Sequence, residues 1–435
     1  MDDSASLKLI YKAFLNGAVI CTDTRKITEG CIFFALKGAN FDGNNFALEA
    51  IRSGAAYAVA DNPGLLHERI VQANDVLLFL QDLARFHRRH LNIPVIGITG
   101  SNGKTTTKEL ISRVLSKKYS TFSTSGNLNN HIGVPLSILS VTNKHECAII
   151  EMGANHRGEI KLLCSVALPT HVLITNVGKA HLEGFGGFEG VKLGKGEMYD
   201  FAKANHSLVF INAGNEHLLN MLGNHNEKFS YCLDCPADVE GIPAGDGTYA
   251  ALKWKTHSGS WHEVQSHITG NYNNENILAA IAAGIKFEVT PDDINTAIAS
   301  YFPDNQRSQM TKIGSNNVLL DAYNANPTSM EAALTNFSKN YHGATAVFLG
   351  EMLELGESSA EEHKKITEQI KACNFTEVVL VGNRFAPFSL PEWHQFATSD
   401  EARDYIRTRQ FSGYTILVKG SRGSRMEVAV SGLKD

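Results

Sequence analysis

The segment PVIGITGSNGKTTTKELISRVL, residues 94–115, constrains the fold of this chain more than any other stretch. A short apolar run leads into glycines and a Gly-Lys-Thr-Thr sequence, and apolar residues then recur at helical spacing. This order predicts a buried strand, a turn and a helix. Glycines let backbone N–H groups converge on phosphate oxygens, and the helix N-terminus adds partial positive charge. The segment therefore predicts a loop that holds the phosphates of a nucleotide.

The glycine spacing in this loop departs from the general pattern G-x-x-x-x-G-K-[ST]. Ile98 stands five positions before Gly103, whereas Gly100 gives a shorter loop, T-G-S-N-G-K-T-T. A glycine-rich turn with an incidental lysine is the alternative, but strand, Gly-Lys-Thr-Thr and amphipathic helix coincide here. We predict that Lys104 reaches the β and γ phosphates and that the Thr105 hydroxyl binds Mg²⁺. The residues assigned to ATP in this loop are Gly100, Ser101, Asn102, Gly103, Lys104, Thr105 and Thr106.

Length and composition exclude several other classes of protein. The 435 residues suffice for two to four domains, and a content of 43% hydrophobic and 20% charged residues is that of a soluble globular protein. The net charge of −5 gives no basic footprint for nucleic acid. The acidic N-terminal stretch does not resemble a signal peptide, and no apolar run approaches 18 residues. We therefore predict a cytoplasmic protein without a membrane span.

Cysteines and histidines outside the loop give no metal signature. The seven cysteines, from Cys21 to Cys373, predict a reduced protein without a disulfide framework. Cys232 and Cys235 form a C-x-x-C, but a zinc site requires a second ligand pair, and we expect the two in a strand and a turn. His87 and His90 fall in a basic helical stretch, for which we predict a solvated face.

Alternation of short apolar runs with helical patterns predicts an α/β chain with mainly parallel sheets and three domains. We place the boundaries so that the domains span residues 1–82, 83–307 and 308–435. VLLFLQDLARFHRRHLNIP, near the first boundary, predicts a strand followed by a helix. Strands are predicted in PVIGIT, ECAIIEMG, THVLITNVG and SLVFINAG, and turn-rich antiparallel structure between residues 226 and 269. The last domain, with strands NVLLDAY, TAVFLGEM, EVVLVGN and YTILVKG, reads as a compact Rossmann-like unit.

The loop T-G-S-N-G-K-T-T resembles the ATP loop of the Mur ligases, ATP-dependent amide-forming enzymes of peptidoglycan precursor synthesis. The resemblance extends over essentially the whole chain. EMGANHRGEI supplies Glu151, and TNVGKAHLEGFGGFEGVKLGKGEMYDF supplies His181 and Lys195. The resemblance implies that these three bind a second Mg²⁺ and that Lys195 is carbamylated, because Mg²⁺ prefers oxygen ligands and a bare ammonium cannot coordinate it.

Further ATP contacts follow from the same resemblance. In GNYNNENILAA, Asn273 and Asn276 match the residues that contact adenine, and an amide offers both a donor and an acceptor to the base. The family more often has histidine where Tyr272 stands. Arg307, in FPDNQRSQM, matches an arginine that reaches the ATP phosphates once the domains close, and Asp321 ends a strand beside the same site.

Substrate contacts are implied at both ends of the chain. The first domain, with CTDTRKITEGCIFFALKGANFDGNNF, resembles a UDP-sugar-binding domain, and the family often has histidine in place of its Asn44. The last domain contains YNANPTSM and the segments that match the site of an incoming dipeptide. The residues that we assign to substrate are Thr24, Arg25, Lys37, Asp42 and Asn44 in the first domain, and Asn324, Asn326, Glu351, Ser421 and Arg422 in the last.

The resemblance implies a monomeric ligase that joins UDP-N-acetylmuramoyl-tripeptide to D-alanyl-D-alanine through an acyl phosphate, with Lys104, His181 and Lys195 as catalytic residues. YNANPTSM and the absence of a D-N-P-R element favour this branch over one that adds diaminopimelate. Another amide ligase of the family, or one of the folylpolyglutamate type, stays open. A P-loop protein that binds ATP only as a switch is disfavoured, because it has no use for a UDP-sugar domain. The third residue of the peptide is not specified by the sequence.

Overall fold

The computed structural model describes residues 3–304 and 306–434. Its α-helices are α1 (Asp3–Leu15), α2 (Ala47–Arg52), α3 (Val76–His90), α4 (Lys104–Leu115), α5 (Gly133–Leu139), α6 (Glu159–Ala167), α7 (Leu182–Phe185), α8 (Phe188–Asn205), α9 (Glu216–Leu222), α10 (Asn274–Lys286), α11 (Pro291–Ala299), α12 (Pro327–Asn340), α13 (Ser359–Cys373), α14 (Ser399–Arg409) and α15 (Met426–Val430). None of the helices within these described ranges is both long enough and apolar enough to cross a lipid bilayer.

The strands alternate with these helices along most of the chain. They are β1 (Ile20–Cys21), β2 (Ile32–Phe34), β3 (Lys37–Gly38), β4 (Phe41–Asp42), β5 (Tyr57–Ala60), β6 (Ile70–Gln72), β7 (Val95–Thr99), β8 (Thr121–Ser123), β9 (Cys147–Glu151), β10 (His171–Ile174), β11 (Leu208–Asn212), β12 (Lys228–Leu233), β13 (Val239–Pro243), β14 (Tyr249–Thr256), β15 (His262–Thr269), β16 (Gln309–Ile313), β17 (Asn316–Asp321), β18 (Thr345–Gly350), β19 (Glu377–Val381), β20 (His394–Phe396) and β21 (Thr415–Lys419). The apolar runs that we assigned to strands on either side of the phosphate loop are therefore confirmed.

The chain divides into two compact units, and one division falls within β7, after Gly97. The first unit contains the described residues up to Gly97 together with Ser120–Gly153 and Lys161–Thr170. The second contains Ile98–Tyr119, Ala154–Ile160 and the described residues from His171 onward. The boundaries that we placed after residues 82 and 307 stay a prediction.

The first unit is built around a parallel sheet with strand order β1-β2-β5-β6. Cys31, Phe33 and Ala58 are among the fully buried side chains of its core. A short antiparallel hairpin, β3–β4, follows β2, and β8 pairs in parallel with β9 elsewhere in the unit. This unit carries the residues assigned to the UDP-sugar and also Glu151.

The strand that we predicted at the start of VLLFLQDLARFHRRHLNIP is wrong, because these residues begin helix α3. Residues 76–80, VLLFL, are helical because the Asp75 side chain caps the helix by accepting a hydrogen bond from the Leu78 N–H (2.8 Å). Val76, Phe79 and Leu80 are buried at helical spacing, whereas Leu78 is exposed. A short apolar run does not distinguish a strand from one buried helical face, so the pattern was ambiguous.

The histidines of α3 differ from each other in their surroundings. His90 is exposed, as predicted, but the prediction of a solvated face for His87 is wrong. His87 is buried, with Nε2 2.8 Å from the Val141 carbonyl oxygen and Nδ1 3.3 Å from the Tyr11 hydroxyl. Burial is the main cause that lowers the pKa of His87. The residues that contact His87 are distant from it in the sequence, so no local sequence pattern indicated its burial.

The second unit contains the strands β10, β11, β12 and β13 in parallel register, followed by β14 and β15 in antiparallel register. The antiparallel structure predicted for residues 226–269 is thus confirmed for β13 to β15, whereas β12 is parallel to both neighbours. Cys232 lies in strand β12 and Cys235 lies in the following turn, as predicted. The two cysteines form a disulfide bond. The sequence predicted a reduced protein without a disulfide framework, and the expectation of reduced cysteines is wrong at this pair.

The C-terminal part of the second unit is a six-stranded sheet of order β16-β17-β21-β18-β19-β20. Only the β16–β17 pairing, among the strands described there, is antiparallel. Asp321 at the end of β17 pairs in register with Lys419 at the end of β21, and Leu349 of β18 also pairs with Lys419. The Rossmann-like sheet predicted here is confirmed, and its strands deliver polar residues to one edge.

We predict a pH-dependent stability that depends on His171, which lies between Phe210 and Phe287 at the start of β10. Burial, and next the positive charge of Lys286, lower the pKa of His171 from 6.5 to about 4. Above pH 6.5 the ring is neutral in both states. Between pH 6.5 and about 4 the unfolded chain binds a proton that the folded chain does not, so folding stability falls.

The variant His171→Leu should therefore lose less stability than the wild type as the pH falls through this window. For one proton the difference in slope is at most about 1.4 kcal/mol per pH unit. The measurement is the thermal unfolding temperature at several pH values, with His342→Gln, at an exposed histidine, as the control. Parallel declines for His171→Leu and the wild type would contradict the prediction.

Candidate active site

Two glycines give the phosphate loop its shape. Gly100 has φ +148°, and a Cβ atom there would overlap the Thr175 hydroxyl. Gly103 has φ +80°, and a Cβ atom there would lie 2.5 Å from Asn276 Oδ1. A left-handed backbone and the lack of space both exclude side chains at these two positions. The shortened glycine spacing is thus matched by a loop that fits closely against α10 and the segment after β10.

The segment after β10 holds the loop in place, and sequence reasoning missed its role. The Ser101 N–H donates to the Asn176 carbonyl oxygen (3.0 Å), and the Asn102 N–H donates to the Asn176 side-chain oxygen (3.0 Å). The Gly178 N–H donates to Ser101 Oγ (2.9 Å). The available signal was the strand THVLIT ending in Asn-Val-Gly, a typical loop at the carboxyl end of a parallel strand.

Lys104, the first residue of α4, folds back over the loop. Its ammonium donates to the carbonyl oxygens of Gly100 (2.7 Å) and Ser101 (3.3 Å). The first N–H groups of a helix lack intrahelical acceptors, and the helix dipole adds partial positive charge there. Thr105 is buried in the same turn. The start of α4 therefore combines a lysine charge, backbone donors and a hydroxyl group, a combination suited to bind phosphate.

Lys195 of α8 is fully buried, and its Nζ has no hydrogen-bond partner in the part of the chain that the structure describes. The nitrogen lies 5.3 Å from the centroid of the Phe185 ring. Burial, and next the positive charge of Lys104, hold the pKa of Lys195 well below its ordinary value. This environment disfavours the charged ammonium relative to the neutral amine, which is the nucleophilic form.

His181 lies in the same unit as Lys195, at the start of α7, with a left-handed backbone (φ +54°). Its Nδ1 is hydrogen-bonded to a carboxylate oxygen of Glu354. This hydrogen bond is the main cause that lowers the pKa of Glu354. His181 therefore presents its Nδ1 to a carboxylate, and sequence reasoning did not identify that carboxylate.

Glu151, the third residue of the predicted magnesium set, belongs to the first unit. It is buried, and Asn129 Nδ2 donates to its Oε1 (2.8 Å). Its Oε2 is buried without a hydrogen-bond partner among the described residues. Within residues 3–304 and 306–434, no three His, Cys, Asp or Glu side chains gather as a metal site. The predicted set contains only two side chains of these types, so it stays a prediction.

The two asparagines assigned to adenine form a hydrogen-bonded pair at the start of α10. Asn276 Nδ2 donates to Asn273 Oδ1 (2.8 Å), and the Thr107 hydroxyl donates to Asn276 Oδ1 (3.1 Å). Because Thr107 belongs to α4, the pair is connected directly to the phosphate-loop helix. The residues assigned to adenine and those assigned to the phosphates thus lie together within one unit.

Arg307 and Asp321, the remaining ATP assignments, have different surroundings. The Arg307 guanidinium stacks on the Tyr323 ring, 3.7 Å from its centroid. Asp321 forms an ion pair with Lys419, whose side chain is 3% exposed. Sequence reasoning missed Lys419, although its place at the end of the strand YTILVKG was a signal. The Asp321 carboxylate thus compensates the charge of this buried lysine at the end of the sheet.

Asn326 connects the last sheet to the phosphate loop. Its side chain caps α12 by accepting from the Ser329 N–H (3.0 Å), and its Nδ2 donates to Asn102 Oδ1 (2.7 Å). Asn324 instead makes local contacts, since its Oδ1 accepts from the Ala325 N–H (2.9 Å). The side chain of Asn326 therefore has a direct contact with the loop, in addition to the substrate role that we predict for it.

The three residues assigned to the incoming dipeptide fall into two groups. The Arg384 guanidinium donates to Glu351 Oε1 (3.0 Å), and the Ser421 N–H donates to the Glu351 carbonyl oxygen (3.3 Å). Ser421 is buried, and its Oγ accepts from the Leu353 N–H (2.9 Å). Glu351 and Ser421 thus lie together, whereas Arg422 is mostly exposed.

Two substrate residues of the first unit, Lys37 and Asn44, contact Asp61, which sequence reasoning missed. Asn44 Nδ2 donates to Asp42 Oδ1 (2.8 Å) and Asp61 Oδ1 (2.7 Å), and the Lys37 ammonium lies 2.8 Å from Asp61 Oδ1. Burial alone would raise the pKa of Asp61, but the hydrogen bonds from Lys37 and Asn44 outweigh it and lower the pKa. Asp61 directly follows β5, a position that was visible in the sequence.

Thr24 and Arg25 lie apart from that cluster, in a short 3₁₀ turn. The Asp23 side chain caps the turn, and the Arg25 guanidinium donates to both Asp23 oxygens (2.8 and 2.9 Å). The hydrogen bond from this side chain is the main cause that lowers the pKa of Asp23 to about 2. Arg25 is exposed, so its charge is accessible to an anionic ligand.

Models of one protein family match most of the chain. The Mur ligase family, catalytic domain, matches residues 18–92, and the Mur ligase middle domain matches residues 98–284. The Mur ligase, glutamate ligase domain, matches residues 306–422. The three matches follow one another along the chain and include the phosphate loop in the second.

Individual proteins resemble the chain over nearly its whole length. A UDP-N-acetylmuramoyl-tripeptide–D-alanyl-D-alanine ligase of Bacillus subtilis is 34% identical, over 95% of this chain and 92% of the relative. The crystal structure of MurF from Acinetobacter baumannii has a TM-score of 0.87 and 30% identity, over 95% of this chain and 93% of that one. The structure of MurF ligase from Thermotoga maritima in complex with ADP has a TM-score of 0.86 and 26% identity. The match covers 96% of this chain and 97% of that one.

The fit of Gly103 against Asn276 generates a prediction for Gly103→Ala. The added methyl group must displace the Asn276 amide, and the left-handed backbone costs a further 1–2 kcal/mol or so. We expect ATP binding to weaken by at least tenfold, measured by titration with a fluorescent ATP analogue. Gly343→Ala is the matched control, because Gly343 has φ +83° and open space around it. Equal losses of ATP affinity in both variants would contradict the prediction.

Proposed function

The chain belongs to the Mur ligase family, and from this we infer that it joins D-alanyl-D-alanine to UDP-N-acetylmuramoyl-tripeptide in an ATP-dependent reaction. The observation that carries this inference is the 34% identity to a ligase of that name over 95% of the chain. The chain has the three-domain α/β fold of the family. The reaction contributes to peptidoglycan synthesis and cell wall biogenesis.

Other properties are part of the proposal. We assign residues 1–82 to the UDP-muramoyl-peptide, 83–307 to ATP and 308–435 to the incoming dipeptide. The contacts of Lys37 and Asn44 with Asp61, and of Asn44 with Asp42, support the first assignment. The proximity of Glu351 to Ser421 supports the last. We further propose that the enzyme acts in the cytoplasm as a monomer, at the last cytoplasmic step of precursor peptide assembly.

The first chemical step must overcome repulsion between anions. The tripeptide carboxylate attacks the γ phosphorus of ATP, which forms an acyl phosphate and releases ADP. Two like unit charges about 4 Å apart repel by about 4 kcal/mol at an effective dielectric constant near 20. Lys104 and the N–H groups at the start of α4 supply the opposite charge and fixed donors that offset this repulsion.

The second step forms the amide bond. The amine of D-alanyl-D-alanine attacks the acyl carbon, and a tetrahedral intermediate forms. Inorganic phosphate then leaves, and the amine loses a proton. Water must be kept from the acyl phosphate, because hydrolysis would waste ATP. The contact of Asn326 with Asn102 supports a role for the last sheet in covering the loop during this step.

Magnesium is the cofactor that the donor set fits. Glu151 Oε2 and Lys195 Nζ are buried polar atoms without partners among the described residues, which is the condition expected of ligands awaiting a metal. We propose that Thr105 binds one ion and that Glu151, His181 and carbamylated Lys195 bind a second. When bound, Mg²⁺ would supply positive charge at the phosphate oxygens.

The depressed basicity of Lys195 supports its carbamylation. A neutral amine adds to carbon dioxide and releases one proton, which yields a carbamate with two oxygen donors. Burial and the charge of Lys104 favour the neutral amine by lowering the pKa of Lys195. The carbamate would reverse the charge of the side chain and turn a group unable to bind Mg²⁺ into one that can.

The function is tested by phosphate release from ATP with each substrate alone and with both. We expect the full rate of phosphate release from ATP only when UDP-N-acetylmuramoyl-tripeptide and D-alanyl-D-alanine are both present. Lys104→Ala should reduce this rate by at least a thousandfold, because the ammonium that offsets the phosphate charge is lost. The circular dichroism spectrum and unfolding temperature should stay close to wild type, since Lys104 is only half-buried and donates to carbonyls of its own loop. Wild-type turnover in this variant would exclude the role of Lys104.

Lys195→Ala should be nearly inactive and should recover part of its activity when short-chain carboxylic acids are added. The small carboxylate can occupy the space of the missing carbamate. Lys192→Ala is the matched control, since Lys192 is on the same helix and pairs with Glu189 instead. Steady-state ligation rates with and without added acetate or propionate provide the measurement. Unchanged activity in Lys195→Ala would remove Lys195 from the metal site.

A further inference from the structure

Ser308 follows Arg307 directly and precedes β16, and both its main chain and its side chain are engaged in hydrogen bonds. The residue is 5% exposed and has a left-handed backbone (φ +48°). Its carbonyl oxygen accepts from the Thr269 N–H (3.2 Å) and the Thr269 hydroxyl (2.9 Å). A non-glycine residue in this conformation is retained when its surroundings determine it, and here they do.

The side chain of Ser308 contacts the element assigned to adenine. Its Oγ accepts from Asn273 Nδ2 (3.1 Å) and lies 3.0 Å from the Tyr272 hydroxyl oxygen. Asn273 Nδ2 also donates to the Thr269 carbonyl oxygen (2.9 Å). The Thr269 carbonyl can only accept, so it fixes the nitrogen on this side of the Asn273 amide and Oδ1 towards Asn276. The hydrogen bond to Ser308 Oγ is a second bond that holds the amide in this orientation.

The main chain of Ser308 contacts the last sheet. Its N–H donates to Asp321 Oδ1 (3.3 Å), and Asp321 is the carboxylate that pairs with buried Lys419. One residue therefore receives hydrogen bonds from the start of α10 and donates one to the end of β17. Arg307, assigned to the ATP phosphates, is attached to it by a peptide bond.

We propose that Ser308 is a positioning residue for ATP. Its Oγ holds the Asn273 amide in the orientation that recognises adenine, while its N–H anchors the preceding arginine to the Asp321–Lys419 pair. The proposal rests on the assignment of Asn273 and Asn276 to adenine. It adds a residue to which the sequence motifs assigned no role, although FPDNQRSQM contains it. It gives this serine a role in nucleotide affinity rather than in chemistry.

The test measures the Kd of the full-length protein for ADP by isothermal titration calorimetry. The KM values for ATP and for D-alanyl-D-alanine are measured alongside it. Ser308→Ala removes one of the two acceptors for Asn273 Nδ2. We expect the Kd for ADP and the KM for ATP to rise about tenfold, since one hydrogen bond contributes on that order. The KM for D-alanyl-D-alanine should stay unchanged. Ser412→Ala is the matched control, because Ser412 is an exposed serine whose hydroxyl is also hydrogen-bonded to another hydroxyl. This variant should leave the Kd for ADP and the KM for ATP unchanged.

A second variant separates positioning from stability. Ser308→Ala also deprives the Tyr272 hydroxyl of its hydrogen bond, and we expect this loss to lower the unfolding temperature. The double variant Ser308→Ala, Tyr272→Phe removes both hydroxyls. We expect it to recover the unfolding temperature but to keep the weakened ADP binding. Recovery of ADP affinity in the double variant would overturn the proposal, because the effect would then come from Tyr272.

Asn273→Ala distinguishes a failure of this proposal from a failure of the adenine assignment. We expect this variant to weaken ADP binding at least as much as Ser308→Ala. Normal ADP binding in Asn273→Ala would refute the adenine assignment and the proposal with it. Weakened binding in Asn273→Ala with normal binding in Ser308→Ala would leave the assignment in place and overturn the role of Ser308 alone.

Discussion

The close fit of the loop at Gly100 and Gly103 is the constraint on which the rest of the second unit depends. At both positions a Cβ atom would collide with a neighbouring polar side chain, Thr175 in one case and Asn276 in the other. The loop backbone is therefore fixed by its neighbours before any ligand arrives. Donors that are already in place do not have to be reoriented during the reaction, which is the basis of electrostatic catalysis.

Buried or half-buried lysines are a second theme. Lys104 lies over the loop, Lys195 is enclosed in α8 without a described partner, and Lys419 pairs with Asp321 at the edge of the last sheet. Burying a cation is costly unless an opposite charge compensates it. Asp321 compensates Lys419, and burial favours the neutral amine of Lys195, whereas the phosphates of ATP would compensate Lys104.

The sequence predicted those parts whose signal is local. The loop, strand β7 and helix α4 followed from an apolar run, two glycines and a helical repeat within residues 94–115. The strand predicted at Val76 was wrong because one face of a capped helix has the same short apolar pattern. Asn176, Asp61 and Ser308 were missed because each acts through partners distant in the chain, and one sequence contains no record of such contacts. His87 was misplaced for the same reason.

The central claim is that residues 100–106 hold the triphosphate of ATP. The most direct measurement is a crystal structure of the protein with a non-hydrolysable ATP analogue and magnesium. The account predicts that the β and γ phosphates lie at the N-terminus of α4 beside Lys104, with the adenine next to Asn273 and Asn276. An analogue bound elsewhere, with the loop and Lys104 unchanged from the arrangement described above, would contradict it.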